Sequence, residues 1–172
     1  REAAPYYPRG TVHVGVIDPG VGTARREIVA RAGGHLFVGP DNGLFEPVLT
    51  ALAGDGPIES WEITPQDLAL DVRSSTFHAR DVFSPAGAHL AMGVPPESVG
   101  PRIDDRVPSP LPLPRQDGDR IVGRVVQADH FGNLITNVPA AWASGRRVRV
   151  SWPGRGLDAL EGFEKTYGDA PV

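Results

Sequence analysis

The chain has 172 residues, 17 Lys+Arg against 21 Asp+Glu for a formal charge of −4, and no cysteine. A mildly acidic chain without a basic block argues against nucleic acid as its main partner. The lack of thiols removes disulfides, thiolate metal sites and cysteine nucleophiles and makes a reducing cytoplasm the expected compartment. With 40% apolar residues and no run of about 18 that could span a bilayer, the composition is that of a globular chain with its own core.

Residues Thr11 to Ile17 alternate polar or small residues with valine and isoleucine and read as a strand that stops at Asp18. Pro19 disfavours helix at Asp18, and Gly20 and Gly22 let the backbone bend and approach a ligand closely. Arg25 and Arg26 follow. Glu27 to Arg31 reads as a second strand, turned by Gly33-Gly34 into a third, His35 to Gly39, which ends at Pro40-Asp41-Asn42-Gly43. Leu44, Val48, Leu49 and Leu52 are spaced for a helix that Gly54 stops. Ile58 to Ile63 is a short strand. Ser74-Ser75-Thr76 supply capping oxygens for a helix that runs from Phe77 through His78, Arg80 and Asp81 to Met92, with Pro85 early in it or kinking it.

Prolines crowd the stretch from about Pro101 to Pro114, a linker signature. It divides an α/β unit, residues 1–112, with a central sheet flanked by helices, from a smaller all-β unit, residues 113–172. In the second unit strands are expected over Arg120 to Asp129, Leu134 to Val138 and Arg147 to Trp152, with a bend at Phe131-Gly132-Asn133. The chain starts without Met directly before a strand and ends in mid-pattern, so both units are expected to be incomplete.

Five polar groupings could carry chemistry: Asp18 with Arg25, the Asp41-Asn42 turn, His78 with Arg80 and Asp81, Asp129-His130, and Asn133 with Asn137. Each also has a plain structural reading as a turn, a cap or a surface pair. His13 and His35 lie within strand patterns and are assigned no chemistry. Gly20-Val21-Gly22-Thr23 has too few glycines and no following lysine for a phosphate loop, and no Gly-x-Ser-x-Gly elbow occurs. Metal-ligand residue types are present without the close helical spacing of a zinc motif, so no metal is expected.

Together, Asp18-Pro19-Gly20-Val21-Gly22-Thr23, Pro40-Asp41-Asn42-Gly43-Leu44, Thr76-Phe77-His78-Ala79-Arg80-Asp81-Val82-Phe83 and Asp129-His130-Phe131-Gly132-Asn133-Leu134-Ile135-Thr136-Asn137 resemble the S-adenosylmethionine hydroxide adenosyltransferases, relatives of the enzymes that halogenate the same substrate. The resemblance implies an α/β domain, a smaller β-barrel domain, and a homotrimer with active sites between the first domain of one subunit and the second of its neighbour. It implies hydrolysis of S-adenosylmethionine to adenosine and methionine without a cofactor. Asp18, Arg25 and His78 would be catalytic, with Asp129 and Asn133 touching the methionine and adenine parts of the substrate. In the halogenating relatives the position of Asp18 is not acidic, and a carboxylate beside an entering halide would repel it, so Asp18 favours water as nucleophile. The family's first segment, with an acidic ribose-binding residue, and its final strands have no counterpart in this sequence. Ala79 also departs from the glycine or serine of many relatives.

Overall fold

The computed structural model describes residues 3–68, 70–144, 151–152 and 155–156. These fall into two compact units that divide between Pro110 and Leu111.

The first unit is built on an antiparallel hairpin of β2 (Glu27–Ala32) and β3 (His35–Pro40), with Val29 opposite Val38. Gly33 and Gly34 join them with φ of +56° and +84°, the left-handed geometry that lets a two-residue turn follow the strand twist. β1 (Val12–Val14) runs parallel to β3, β4 (Glu59–Glu62) antiparallel to β2, and the two-residue β5 (Arg102–Ile103) antiparallel to β4. The result is a mixed five-stranded sheet in the order β1-β3-β2-β4-β5.

Because successive strand residues face opposite sides, the sheet buries two separate layers. Val29 and Val38 pack with Trp61, Val82, Phe83, Ala86 and Leu90 beneath α2 (Ser84–Ala91). On the other face Ala30, Ala32 and Phe37 pack with Phe45, Val48 and Leu49 of and before α1 (Glu46–Ala53). The central sheet is thus flanked by helices. Phe83 is completely buried, and its truncation to alanine would cost about 3–5 kcal/mol.

Three details of this unit differ from the sequence reading. The first strand ends at Val14 and not at Ile17. Gly15 still donates to the Val38 carbonyl at 3.0 Å, but there the chain slides under Phe45 so closely that a Cβ on Gly15 would stand 2.7 Å from the ring. Val16 and Ile17 then leave the sheet exposed. The Ser74-Ser75-Thr76 hydroxyls do not cap the second helix: the Ser74 hydroxyl accepts from the Thr76 N–H instead. A π-helical turn, Ala79–Phe83, leads into α2, and Pro85 falls in the first turn of α2, where its missing N–H is harmless. The start of the proline-rich stretch is not a free linker. β5 joins the sheet, Arg106 donates to Glu46 and Ser60, and the Val107 N–H donates to Asp41.

In the second unit β6 (Arg115–Asp117) pairs with β7 (Arg120–Val122), β8 (Val125–Ala128) with β9 (Leu134–Thr136), and β10 (Ser151–Trp152) with β11 (Arg155–Gly156), all antiparallel. The strand expected from Arg120 to Asp129 is two strands, broken at Gly123-Arg124. There the Arg124 N–H donates to Asn137 Oδ1 rather than to a ladder, and a Cβ on Gly123 would meet Val138 at 2.2 Å. The unit is strand-rich but not all-β, since α3 (Ala140–Ala143) follows Pro139, whose extended backbone launches three alanines and a tryptophan. Of the strand expected at Arg147 to Trp152, residues 147–150 lie outside the described residues, and the last two form β10.

Candidate active site

β1 and β3 end, and β2 begins, on the same side of the sheet, and the polar side chains of interest gather there. The loop after β1 carries Asp18. Within it Thr23 turns the chain back by bonding the Gly20 carbonyl through both its hydroxyl (2.6 Å) and its N–H (3.1 Å). Gly22 has φ +79° and passes the Ser75 carbonyl so closely that a Cβ would sit 3.3 Å from it. The turn after β3 holds the loop from the other side: Asn42 Nδ2 donates to the carbonyl of Ile17, the residue before Asp18, at 2.9 Å, while Asn42 Oδ1 accepts from the Leu44 N–H.

Arg25, seven residues beyond, reaches back to Asp18. Its Nε lies 3.0 Å from both carboxylate oxygens and its Nη2 2.5 Å from Oδ2. The Asp18 side chain is only 6% exposed and that of Arg25 only 9%, so this is a desolvated, charge-assisted pair. The guanidinium also lies over the Phe83 ring, 5.4 Å from its centroid, which ties the pair to the core.

His78 arrives from the other side of the unit at the start of the π-helical turn. Such turns insert an extra residue into a helix and recur at functional sites because they re-aim a side chain. Asp81, inside the turn, accepts the Arg73 and Ser74 N–H groups and pairs with Arg80 at 2.6 Å, folding the preceding loop back onto the helix. The Arg80 hydrogen bond, assisted by those N–H groups against the cost of burial, holds the Asp81 carboxyl down at about 2. His78 Nδ1 then lies 2.9 Å from Arg25 Nη2.

A fourth residue completes the cluster, and sequence reasoning passed over it. Glu27, the first residue of β2, places Oε1 2.7 Å from Arg25 Nη1 and 2.7 Å from His78 Nδ1. The signal was present: Glu27 is the one carboxylate in a strand that otherwise reads Ile-Val-Ala-Arg-Ala. Burial alone would lower the Arg25 pKa, but the hydrogen bonds and charges of Asp18 and Glu27 outweigh it and raise the pKa. With Asp18, Glu27 and Arg25 ionised and His78 neutral, the cluster carries a net charge of −1, which a single proton on His78 cancels.

Asp41 is buried and structural: its Oδ2 takes Arg26 at 2.7 Å and its Oδ1 the Val107 N–H at 2.9 Å, while Arg26 also grips Asp105. Arg80 is exposed and spent on Asp81. In the second unit Asp129 Oδ1 accepts the Phe131 and Asn133 N–H groups and Oδ2 accepts Asn133 Nδ2, so these two residues are joined to each other. His130 and Phe131 are exposed, with ring centroids 3.8 Å apart. Asn137 is a brace, donating to the Pro112 carbonyl. His13 Nε2 and His35 Nδ1 are 3.1 Å apart beside Phe37. Among the described residues no three His, Asp or Glu side chains gather as a set that could hold a metal ion. An open cavity beside the π turn, lined by Asp71, Arg73, Arg80, Asp81 and Pro85, takes none of its walls from the Asp18 cluster. Both of its arginines are paired to aspartates.

The family model for the SAM hydroxide adenosyltransferase N-terminal domain matches residues 1–100, and that for the C-terminal domain of the same family matches residues 123–172. The chain belongs to the SAM hydroxide adenosyltransferase family. It is 46% identical over 183 residues to a protein of Salinispora arenicola named (R)-S-adenosyl-L-methionine hydrolase, covering 99% of this chain and 63% of the relative. A fluorinase of Nocardia brasiliensis is more distant, 28% identical over 95% of this chain and 64% of its own length. A crystal structure of an uncharacterized conserved protein from Thermotoga maritima superimposes with a TM-score of 0.81 at 34% identity, over 99% of this chain and 66% of that one. The chain spans between about half and two thirds of the length of the curated hydrolases it matches.

Proposed function

We propose that the protein hydrolyses S-adenosylmethionine to adenosine and methionine. The observation that carries this reading is the desolvated Asp18–Arg25–His78 cluster at the sheet end, in a chain whose nearer curated relatives bear the hydrolase name. The leaving group is a sulfonium that departs as a neutral thioether, so the reaction needs neither a general acid nor a metal. The demanding partner is the nucleophile. A water oxygen forms the bond to the ribose C5′, the C5′–S bond breaks with its electron pair going to sulfur, and the water proton passes to the protein.

In this reading Asp18 accepts a hydrogen bond from the water through an oxygen lone pair not used by Arg25, and His78 Nε2 takes up the proton. Arg25 holds Asp18 in place and offers the growing negative charge on oxygen a guanidinium N–H that neither Asp18 nor Glu27 occupies. The carboxylate beside the attack point disfavours a halide there, which sets this reading apart from halogenation.

The same proposal has Asp129 and Asn133 touching the methionine and adenine parts of the substrate from a neighbouring subunit of a homotrimer. It also has residues 1–112 and 113–172 acting as catalytic and barrel domains, and the protein working in the cytoplasm with no cofactor. The test is product analysis on the full-length protein with S-adenosylmethionine, with and without added chloride. Adenosine plus methionine, lost in Asp18→Ala and His78→Ala, supports hydrolysis. A 5′-halo-adenosine would make the protein a halogenase, and binding without either product would reduce it to a binding module.

A further inference from the structure

Resting on the hydrolase reading, we propose that Glu27 is a positioning residue that fixes the tautomer of His78, holding a proton on Nδ1 so that Nε2 presents a lone pair to the nucleophilic water. His78 Nδ1 has two neighbours within hydrogen-bond distance and can serve only one. Toward Glu27 Oε1, at 2.7 Å, it must donate; toward Arg25 Nη2, at 2.9 Å, it must accept. The choice decides the chemistry of the opposite nitrogen. If Nδ1 accepts from Arg25, then Nε2 carries the proton of a neutral ring and cannot receive one. If Nδ1 donates to Glu27, Nε2 is a base.

Three features favour Glu27. First, a lone pair on Nδ1 would face a carboxylate oxygen at 2.7 Å, two electron-rich atoms in contact in a site where both side chains are less than one-fifth exposed. Second, Arg25 does not depend on the imidazole, because its Nε, Nη1 and Nη2 each already donate to Asp18 or Glu27, whereas an N–H to carboxylate bond is charge-assisted. Third, Glu27 does not drift. Its residue pairs with Pro40 on β3, and its carbonyl accepts the Ile63 N–H at 2.7 Å, so the carboxylate is launched from an interior strand fixed on both sides. Among the described residues none hydrogen-bonds His78 Nε2, which leaves it for water. When the water proton arrives there, the imidazolium lies between Glu27 and an ion pair, and the net charge of −1 becomes zero. The second carboxylate, redundant for Arg25, has its use in the charged product of proton transfer.

The experiment uses the full-length protein labelled with 15N at histidine, with the His78 ring signals assigned by their loss in His78→Ala. Above pH 8 the wild type should show the Nδ1–H tautomer at His78, and Glu27→Ala should move the ring toward Nε2–H. In steady-state adenosine release Glu27→Ala should lower kcat about 100-fold with KM changed less than twofold. Glu27→Gln, which keeps the shape and an acceptor oxygen, should recover part of the loss. An Nε2–H tautomer in the wild type, or an Nδ1–H tautomer that persists in Glu27→Ala, overturns the proposal. So does a kcat within twofold of wild type in Glu27→Ala. If the wild type releases no adenosine, the hydrolase reading falls, while the tautomer measurement still decides the role of Glu27.

Discussion

Asp18 and Asp129 stand in similar sequence settings, an acidic residue just past a strand with glycine soon after, yet they spend their oxygens differently. Asp129 turns inward on its own bend: among the described residues the hydrogen-bond partners of its carboxylate all lie within four residues, and the carboxylate works as the brace of a turn between β8 and β9. Asp18 takes none of its own loop's N–H groups on its side chain and instead binds a guanidinium seven residues away, which in turn meets a histidine 53 residues further on. A carboxylate satisfied locally stabilises a shape. One satisfied by a distant cation, and desolvated with it, is held ready with lone pairs to spare.

Making the same substitution at both sites tests that contrast most sharply. Asp18→Asn should reduce adenosine release about 1000-fold with the fold intact, because the amide keeps the shape but loses the charge that fixes Arg25 and orients water. Asp129→Asn should leave kcat within a few-fold and act on KM and on protection of the Phe131 and Asn133 amides from exchange. A kcat loss at residue 129 equal to that at residue 18 would break the distinction.

Asp41 extends the comparison, its side chain also buried but with wholly structural partners. Asp41→Ala leaves Arg26 half-paired and the Val107 N–H without its acceptor, and should lower unfolding stability by about 1–3 kcal/mol in urea titration, with kcat per folded molecule little changed.

Acid separates the turns further. The pKa of Asp81 is lowered to about 2, so its contribution is complete above the ordinary carboxylate range near 4 and fades only as the pH falls from there through about 2. The Asp129 carboxyl is also lowered, chiefly by the Asn133 side chain, so its turn should persist below the ordinary carboxylate value. Amide shifts of Ser74 and Asn133 followed from pH 6 to 2 should both hold at pH 4; a midpoint near 4 for Ser74 would contradict the Asp81 geometry.

The smallest effect is expected at the histidine pair. Burial and then the neighbouring His35 lower the His13 pKa, so the unfolded chain binds the proton more readily and stability should fall as the pH drops below about 6.5. His13→Gln should flatten that slope between pH 8 and 5.5.

The same local-versus-distant division governs what the sequence reveals. The Gly33-Gly34 hairpin, the alternation that gives the sheet two buried faces and the Gly54 stop are all set by neighbours in the chain, and they were legible. Asp18, Arg25 and His78 could be named because their motifs are distinctive, but their meeting across 60 residues could not be measured from spacing. Glu27 escaped notice because a carboxylate that opens a strand looks like a solvated end; its burial is created by the π turn on the far side of the site. The break at Gly123 and the helix after Pro139 were also missed. The break depends on the close approach of Val138 and the brace from Asn137, which lie in the bend after β9, and the helix depends on the alanines that follow Pro139.

The π-helical turn at Ala79–Phe83 amounts to a one-residue insertion in an otherwise regular helix. Each residue of an α-helix advances the side chain by about 100° around the axis. Removing a single residue from this turn would therefore let α2 keep its buried face, with Ala86 and Leu90 still against the sheet, while everything before the turn swung round by that amount. His78 would point away from Arg25 and Glu27. Between this site and its loss stands one codon.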